Sequence, residues 1–456
     1  EAIHEIIDVV KEWKLTHGDR NKKELLKKLC EVPGVYVPGF YDVNYDSDGI
    51  IKEVIPKVSF APEKVVRRVI RDFDKVDFPD KPIVPYTEVV HDRIMLEVLR
   101  GCSRGCRFCQ AGMIYRPVRE KRPESLLKQA EELLKNTGYD EISLTSLSTS
   151  DYSCVQGVLE SLMDKHGSSG VGISLPSLRA DNFSVELAKQ VQRVRKSSLT
   201  FAPEAGTQRL RDVINKGVTE ENLMDAVSAA FKAGWSSVKL YFMIGLPGET
   251  QEDLDGIADL AFKVVDLGRN IMGDRVGRMK VTVSASSFVP KAHTPFQWFP
   301  QEDMESLKEK QHYLARKLKH KRINFNWHDA KLSFTEAVFA RGGRKVADAL
   351  ERAWQLGCKF DSWTDHFRFD KWMEAFADVG LDPAFYANRP FAIDEVLPWD
   401  FIDAGVTKEF LISEYMEAAK EQTTADCRFE KCTVCGVCQN LDVHTDLKGG
   451  NLNAPS

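Results

Sequence analysis

The periodicity of apolar residues differs between regions of the chain. In residues 1–30, apolar side chains recur at every third or fourth position, which predicts two short helices. The Pro-Gly pair at residues 33–34 ends them, and residues 35–37 form the first predicted strand. The Asp-Ser-Asp-Gly sequence at residues 46–49 predicts a hairpin turn, and the prolines in residues 75–90 indicate an extended connector.

From residue 91 the pattern changes to short apolar runs that alternate with longer amphipathic stretches. The apolar runs predict strands at Arg93–Leu99, Glu141–Thr145, Val171–Leu175, Leu199–Ala202, Val238–Ile244 and Met279–Ala285. The other stretches predict helices at Pro123–Asn136, Cys154–Lys165, Ser184–Val194, Thr219–Ala233, Thr250–Leu267 and Gln301–His320. Strands that alternate with helices form parallel sheets, and six such units are too few for a closed eight-stranded barrel. We therefore predict an α/β fold built on a partial (β/α)6 TIM-like barrel that is open on one side.

The remaining sequence flanks this barrel. Residues 321–425 are predicted to be mostly helical, and the segment after them is rich in cysteine and then in glycine and asparagine. We expect three domains: an N-terminal helical and linker region at 1–90, the partial barrel at 91–320, and a C-terminal Cys-rich domain at 321–456.

The composition is that of a globular protein, with 456 residues of which 43% are hydrophobic and 29% charged. No apolar run is long enough to predict a membrane-spanning helix. The N-terminus lacks the basic-then-apolar pattern of a secretory signal, which favours a cytoplasmic protein. Since the first residue is Glu1 rather than Met, a preceding segment is expected. The net charge of −5 provides no overall attraction for nucleic acid.

The ten cysteines are unevenly distributed. Three fall within residues 102–109 and four within residues 427–438, whereas Cys30, Cys154 and Cys358 stand alone. Spacings of two to four residues suit metal ligation better than a disulfide framework, particularly without a secretory signal. The isolated three are expected to be buried as small hydrophobic residues.

The first cysteine set consists of Cys102, Cys106 and Cys109 and directly follows the first strand of the predicted barrel. This places it at the carboxyl end of the strands, where barrel enzymes hold their reactive groups. Three thiolates at C-x3-C-x2-C spacing suit one 4Fe–4S cluster whose fourth iron has no protein ligand. Arg104 and Arg107 are expected to offset the negative charge of the cluster. A zinc site is the alternative, although structural zinc normally takes four ligands.

This loop, with Phe108 before its third cysteine, resembles the signature of the radical S-adenosylmethionine (SAM) superfamily. The resemblance covers roughly residues 91–320. It implies that the open iron binds the amino and carboxylate groups of SAM. It also implies that electron transfer cleaves SAM to a 5′-deoxyadenosyl radical, which abstracts a hydrogen atom from the substrate.

Further segments resemble superfamily segments that hold SAM. Ser146 follows the second strand, where many members bind the SAM amino group, and this match is by position only. Glu204 follows the fourth strand as the expected acceptor of a ribose hydroxyl, and Arg211 is the expected partner of the SAM carboxylate. The loop at residues 245–250 resembles the loop beside the adenine. The expected SAM contacts are therefore Phe108, Ser146, Glu204, Arg211, Gly245, Pro247 and Gly248. A polar strand end at Ser146 and a solvated helix terminus near Arg211 are the alternatives.

Residues 288–296, after the sixth strand, are similar to segments of methylthiotransferase-like and cobalamin-dependent radical SAM enzymes. On this resemblance, Lys291 and His293 are expected to face the substrate, and a structural loop bounded by prolines is an equal alternative.

The second cysteine set supplies four ligands and so predicts a closed site. Its members are Cys427, Cys432, Cys435 and Cys438. Zinc in a four-thiolate site and an auxiliary 4Fe–4S cluster are equally favoured.

Residues 1–90 resemble the stretch that joins a cobalamin-binding domain to the barrel in one uncharacterised radical SAM family. The Asp-x-His-x-x-Gly signature of cobalamin binding is absent from the sequence. Cobalamin is therefore expected only if a domain lies upstream of residue 1.

Three hypotheses follow for the activity. The first is methyl or methylthio transfer to a macromolecule such as RNA, the second is rearrangement or C-methylation of a small metabolite, and the third is a non-catalytic iron–sulfur protein. The first two require a reductant protein of flavodoxin or ferredoxin type. The cations in residues 308–322 with Arg341, Arg344 and Lys345 are a candidate RNA-facing patch, and a solvated helix face is the alternative. The C-terminal aromatic residues are candidates for base stacking, with a core role as the alternative.

Overall fold

The computed structural model describes residues 2–17, 21–175, 179–182 and 199–449. Its N-terminal part contains two helices and an antiparallel hairpin: α1 (Ile3–His17), α2 (Lys22–Cys30), β1 (Tyr41–Tyr45) and β2 (Ile51–Pro56). Asp46 closes the hairpin turn, because its Oδ1 accepts the N–H groups of Asp48 and Ile50, both at 2.9 Å. The predicted helices and hairpin turn are confirmed. The strand predicted at residues 35–37 is wrong, since these residues are irregular and a turn follows at Pro38.

Parallel strands form the centre of the fold. The strands after the hairpin are β3 (Val65–Val66), β4 (Ile94–Glu97), β5 (Leu99–Arg100), β6 (Arg119–Glu120), β7 (Glu141–Thr145), β8 (Gly172–Ser174), β9 (Leu199–Glu204), β10 (Ser237–Ile244), β11 (Lys280–Ser287) and β12 (Ile323–Trp327). One parallel sheet has the order β4-β7-β8, and a second has the order β12-β11-β10-β9. The short pair β5 and β6 is antiparallel.

Helices cover one face of these sheets. They are α4 (Pro123–Thr137), α5 (Val155–His166), α7 (Glu220–Lys232), α8 (Gln251–Met272) and α9 (Met304–Lys317). The short helices α3 (Gln110–Ile114) and α6 (Gln208–Val213) pack outside this core, in apolar clusters of their own. Strand β10 shows how the two faces differ: Val238, Leu240 and Phe242 are buried in the core beneath the helices, whereas Lys239 and Tyr241 are on the opposite, more open face. This alternation is the period of two expected for a strand, and it leaves a polar surface on the inner side of the sheets.

The six predicted parallel strands are confirmed, with small differences in their bounds. The helix predicted at Ser184–Val194 lies outside the described residues. The structure adds β12, which pairs in parallel with β11 in the register Val281 to Ile323 and Ala285 to Trp327. Its Ile-Asn-Phe-Asn-Trp sequence alternates instead of forming an apolar run, so the strand was missed. The parallel sheet therefore continues beyond residue 320, where the third domain was predicted to begin.

The C-terminal region is mostly helical. Its elements are α10 (Ala330–Arg341), α11 (Val346–Gln355), α12 (Phe369–Asp378), α13 (Pro383–Ala387), β13 (Ile402–Asp403), α14 (Lys408–Ala419) and α15 (Val437–Asn440). Strand β13 pairs in parallel with β3, so the C-terminal region is joined directly to the N-terminal one. Within the described part of the chain, no helix combines the length and apolar character that a bilayer crossing requires.

Gly206 and Gly256 allow the loop after β9 to touch α8. A Cβ atom on Gly206 would lie 2.1 Å from the carbonyl oxygen of Asp253 and 2.4 Å from the nitrogen of Ile257, and these backbone atoms cannot rotate away. We expect Gly206→Ala to lower the free energy of unfolding by about 1–3 kcal/mol through overpacking, as measured by chemical denaturation. Gly157→Ala is the control, because Gly157 is exposed on α5 with nothing near the added Cβ, and there stability should rise by up to about 1 kcal/mol. Unchanged stability of the Gly206 variant would contradict the close contact.

Candidate active site

The loop that carries the first cysteine set connects β5 to α3. Gly101 and Gly105 have φ angles of 92° and 75°, and a Cβ on Gly101 would lie 2.2 Å from a backbone carbonyl oxygen of the following segment. Glycine is the residue that tolerates both conditions. In this tightly wound loop Cys106 is buried, and Cys102 and Cys109 are partly buried.

The three thiols are close enough to influence one another. Burial raises the pKa of Cys102 and raises that of Cys109 to about 11, and the neighbouring Cys106 adds to both shifts. The N–H of Arg104 donates to the sulfur of Cys102, and the N–H of Gly112 donates to Cys109 Sγ at 3.3 Å. A bound metal requires thiolates, so binding here would displace protons.

In the residues that the structure describes, no group of three or more His, Cys, Asp or Glu side chains is arranged around a position for a single metal ion. This holds for both cysteine sets. A tetrahedral zinc site would bring its sulfur atoms to about 2.3 Å from one point. The identity of the metal at each set therefore stays a prediction.

Arg104 joins the cysteine loop to three distant segments. Its guanidinium binds Asp151, which follows β7, and lies 3.1 Å from Asp181 and 3.5 Å from Asp426. Arg428 completes the group by donating to the carbonyl oxygen of Asp151 and to the Asp426 carboxylate, both at 3.1 Å. Burial alone would raise the pKa of Asp151, but its hydrogen bond with Arg104 and the nearby guanidinium charges lower it. The segment around Cys427 is thus tied to the first cysteine loop.

Arg107 is also bound to carboxylate and carbonyl oxygens. Its Nε donates to Glu414 at 3.0 Å, and its Nη1 donates to the carbonyl oxygens of Asp212 and Val213 at 3.2 and 2.9 Å. The side chains of Arg107 and Glu414 are 0% and 5% exposed. The sequence predicted that Arg104 and Arg107 offset the charge of a cluster, whereas the structure engages both in buried ion pairs that hold the loop in place.

Glu204 ends β9, Arg211 lies in α6, and Phe108 packs beside the segment that joins them. Phe108 is partly buried and packs against a cluster of apolar residues from the loops after β9, β10 and β11. Glu204 has a φ of 69°, and its Oε1 accepts from Lys216 Nζ at 3.1 Å. Arg211 is 2% exposed and donates to the carbonyl oxygen of Ala205 at 3.0 Å. Arg211 therefore braces its own loop, and its contact with a SAM carboxylate stays a prediction.

The backbone of the loop after β10 forms a tight turn, as expected of a loop that binds a cofactor. Gly245 and Gly248 both have a φ of 75°, with the partly buried Pro247 between them. The N–H of Gly245 donates to Glu249 Oε1 at 3.0 Å, which closes the turn. Thr250 forms a capping box that begins α8. Gly248 is exposed, so the turn presents backbone to solvent at this position.

Ser146 lies at the end of β7, at a cavity of about 790 Å³. Its Oγ is 3.0 Å from Thr149 Oγ1 and accepts the N–H of Ser148 at 3.1 Å. The cavity extends to Gly101, next to Cys102. Sequence reasoning missed this cavity because its lining comes from segments far apart in the chain.

The loop after β11 packs beside the first cysteine set. The carbonyl oxygen of Ala292 accepts from Gln110 Nε2 at 3.1 Å, which ties the loop to α3. Lys291 forms an ion pair with Glu336. His293 has a φ of 58°, and burial lowers its pKa to about 4, so its ring is neutral at physiological pH. That Lys291 and His293 face the substrate stays a prediction.

Cys427, Cys432 and Cys435 lie in the loop between α14 and α15, and Cys438 lies in α15. Cys435 is buried, Cys427 and Cys438 are partly buried, and Cys432 is exposed. Burial raises the pKa of Cys438 and raises that of Cys427 to about 11, and the charges of Cys435 and Cys432 add to both shifts. Cys427 and Cys438 therefore both lie within electrostatic reach of Cys432 and Cys435.

Arg116 lies between the two cysteine sets. Its Nη2 is 3.6 Å from the position of a Cβ on Gly105, and its positive charge lowers the pKa of Cys427 against the effect of burial. The guanidinium also lies over the ring of Phe410, 5.3 Å from its centroid. The structure thus brings together two cysteine sets that are more than 300 residues apart in the sequence.

Part of the candidate RNA-facing patch is engaged within the protein. The lysines on α9 with carboxylate partners are Lys308, Lys310 and Lys317. Arg341 is 1% exposed and donates to backbone carbonyl oxygens, including that of Ala387 at 2.9 Å. The assignment of Arg341 to a surface patch is wrong, because its guanidinium is needed inside the C-terminal region. Of the aromatic residues, Trp372 and Trp399 are buried, whereas Trp354 and Trp363 are exposed.

Residues 96–261 match the Radical SAM superfamily. The chain is 30% identical over 337 residues to an uncharacterized protein of Methanocaldococcus jannaschii, which covers 74% of this chain and 70% of that protein. It is also similar to a tRNA-2-methylthio-N(6)-dimethylallyladenosine synthase of Moorella thermoacetica, at 24% identity over 36% of this chain and 38% of the relative.

Other relatives of low identity are named as an uncharacterized methyltransferase and as ribosomal protein uS12 methylthiotransferases. The chain spans about half the length of the methyltransferase, and about half that of the methylthiotransferase from Thermoanaerobacter. Among solved structures, the cobalamin-dependent SAM radical enzyme OxsB matches with a TM-score of 0.40 and 14% identity, over 92% of this chain and 65% of that one. Membership of the superfamily implies a 4Fe–4S cluster and SAM as cofactors, and it contradicts the hypothesis of a non-catalytic protein. The chain belongs to the radical SAM superfamily and is a radical SAM enzyme.

Proposed function

We propose that this enzyme binds its 4Fe–4S cluster through Cys102, Cys106 and Cys109 and modifies RNA by methyl or methylthio transfer. The observation that carries the cluster assignment is the three-thiol loop at the carboxyl end of the first parallel strand. The loop suits the group, because its glycine backbone winds closely and two N–H groups donate to its sulfur atoms. Such donors tune the electronic properties of a cluster.

The cofactors supply the difficult chemistry, since a reduced 4Fe–4S cluster provides the electron that cleaves SAM to a 5′-deoxyadenosyl radical. The chain's own part is to bind and orient SAM and to exclude water. We assign the SAM contacts to the side chains of Phe108, Ser146, Glu204 and Arg211 and to the turn at Gly245, Pro247 and Gly248. Glu204 at the end of β9 is held by Lys216 and so is fixed in position to accept from a hydroxyl group.

The second set, Cys427 to Cys438, is proposed to hold a second metal centre, either zinc or an auxiliary 4Fe–4S cluster. Four thiols within residues 427–438, in a segment tied by Arg428 and Arg104 to the first set, support a centre that anchors the C-terminal segment. A reductant protein of flavodoxin or ferredoxin type would supply electrons. Cobalamin is proposed only in combination with a domain upstream of residue 1.

The macromolecular substrate is supported by the relatives that carry the names of a tRNA modification enzyme and of ribosomal protein methylthiotransferases. RNA is preferred over protein here because of the cavity beside the first cysteine loop, which is lined by arginines and an exposed tyrosine. A small metabolite is the second hypothesis from the sequence. The effect of tRNA on SAM cleavage distinguishes an RNA substrate from a metabolite.

The test is an anaerobic incubation of reconstituted protein with SAM and dithionite, assayed for 5′-deoxyadenosine with and without total tRNA. We expect 5′-deoxyadenosine in both cases and a stimulation by tRNA that falls steeply as salt rises, because RNA binding releases counterions. SAM cleavage that tRNA does not change at any salt concentration would contradict the RNA substrate and favour a metabolite. A protein with a full complement of cluster that never cleaves SAM would contradict the cofactor assignments.

A further inference from the structure

The cavity of about 790 Å³ lies beside the first cysteine loop, between the N-terminal segment after β3 and the ends of β4 and β7. Its volume falls in the range of roughly 300–1,000 Å³ that is usual for small-molecule sites. Its floor is formed by the inner face of β4 and β7, where Met95 and Thr145 project away from the helix-covered core. One end reaches Gly101, the neighbour of Cys102, so that an occupant would lie next to the first cysteine set.

The charge of the lining is positive. Arg67 and Arg68 come from the N-terminal segment and Arg100 from β5, whereas Glu97 is the acidic residue among the lining residues. Glu97 is bound by Arg100 with two hydrogen bonds of 2.8 and 2.7 Å. The lining therefore carries three guanidinium groups and one carboxylate, and Arg67 also donates to the carbonyl oxygen of Arg116 at 2.8 Å. Guanidinium groups bind phosphate and carboxylate oxygens in bidentate fashion.

The contact that now engages Arg68 can be displaced. Arg68 forms its ion pair with Glu5 of α1, and the two side chains are 36% and 43% exposed. An exposed pair of this kind contributes little to stability because solvent screens it. An anionic ligand in the cavity can compete with Glu5 for Arg68 without unfolding the surrounding structure.

The same cavity has an exposed aromatic and apolar wall. Tyr115, Leu147 and Met95 line it, and they are 44%, 43% and 47% exposed. Large apolar side chains at this level of exposure inside a concave site form a surface on which a flat ring can stack. Unpaired bases stack on aromatic side chains in this way in RNA-binding proteins.

This cavity differs from the surface assigned to the nucleoside part of SAM. Glu204, Gly245, Pro247 and Gly248 are absent from its lining, and Ser146 is the residue that it shares with the proposed SAM contacts. The cavity and the nucleoside part of SAM are therefore assigned to different residues.

We propose that this cavity binds a nucleotide of the substrate, with the phosphate group on Arg68 and the base against Tyr115. This inference rests on the proposed function and extends it, because it assigns the substrate class and its binding site. Arg68 and Tyr115 are positioning residues for the substrate: one holds the phosphate, and the other holds the ring beside the cysteine loop.

The test measures binding of uridine monophosphate and of uridine to the reconstituted protein by calorimetry, with S-adenosylhomocysteine present at saturation to fill the SAM site. We expect uridine monophosphate to bind at least about tenfold more tightly than uridine, because the phosphate forms charge-assisted bonds. Arg68→Gln should remove most of this preference, and Arg68→Lys should keep part of it. Tyr115→Leu should weaken both ligands about tenfold through loss of stacking. Arg275→Gln, at an exposed position outside the cavity, is the matched control and should change neither affinity.

Three further comparisons decide the remaining outcomes. A single-stranded pentamer of uridylate that binds more tightly than the monophosphate, with a steep salt dependence, would identify the occupant as part of an RNA strand, and equal affinities would identify a free nucleotide. Inorganic phosphate that binds as tightly as uridine monophosphate, with no effect of Tyr115→Leu, would overturn the proposal. Displacement of uridine monophosphate by S-adenosylhomocysteine would also overturn it, because the cavity would then belong to SAM.

The assignment of the cavity and the proposed function fail in different ways. SAM cleavage is measured on the same preparation of unaltered protein. Cleavage without nucleotide binding overturns the cavity assignment alone. Absence of both, in protein that holds its cluster, overturns the proposed function.

Discussion

Replacing Cys102, Cys106 and Cys109 together by alanine is expected to reduce 5′-deoxyadenosine formation to the uncatalysed background, because the chain would lose the ligands of the electron donor to SAM. The variant should also lose about four iron atoms per chain. Cys154→Ala is the matched control. Cys154 is an isolated and partly buried cysteine outside both sets, and its removal should change neither iron content nor SAM cleavage. Full SAM cleavage by the triple variant would contradict the assignment of the cluster ligands.

The same variant identifies the metal of the second cysteine set. If Cys427, Cys432, Cys435 and Cys438 hold an auxiliary cluster, the triple variant retains about four iron atoms per chain. If they hold zinc, the variant contains little iron and about one zinc atom. Further replacement of Cys435, which is buried within its set, by serine should release whichever metal is present. Retention of neither metal before that replacement would contradict a second metal centre.

Arg107→Met is expected to lower the free energy of unfolding by about 3–5 kcal/mol, because it leaves the buried Glu414 side chain without its partner. The double variant Arg107→Met with Glu414→Leu should recover most of this loss, since an apolar pair of similar volume can replace a buried ion pair. The measurement is chemical denaturation of the protein, followed by circular dichroism.

An exposed ion pair provides the control for this prediction. Lys165 and Glu131 lie 2.8 Å apart with side chains that are 55% and 56% exposed, and Lys165→Met should change stability little because solvent already screens the pair. Equal effects of the Arg107 and Lys165 variants would contradict the buried role of Arg107. Failure of the double variant to recover stability would show that Arg107 acts mainly through its hydrogen bonds to the carbonyl oxygens of Asp212 and Val213.

The residues of the site differ in how well the sequence predicted their roles. Cys102, Cys106 and Cys109 were recognisable because one short loop contains all of them, and local spacing is visible in a sequence. Of the isolated cysteines, Cys30 and Cys358 are buried as predicted, whereas Cys154 is only partly buried.

The arginines of the cysteine loop show the limit of such reasoning. Their proximity to the cysteines suggested that they neutralise a cluster, but their partners are carboxylates such as Asp181 and Glu414, which come from other parts of the chain. The burial of Arg341 was hidden for the same reason, since its partners are backbone carbonyl oxygens that any residue type supplies.

The sequence by itself determined the order of strands and helices and the grouping of seven cysteines into two sets, because periodicity and spacing are local properties. It also indicated the close turn at Gly245 and Gly248, since a backbone with positive φ favours glycine. The tertiary structure alone decided that β12 extends the parallel sheet and that the two cysteine sets lie together around Arg116. It also decided that arginines from the N-terminal segment line the cavity beside Gly101. These features depend on contacts between residues far apart in the chain, which packing of the whole fold creates and no local pattern encodes.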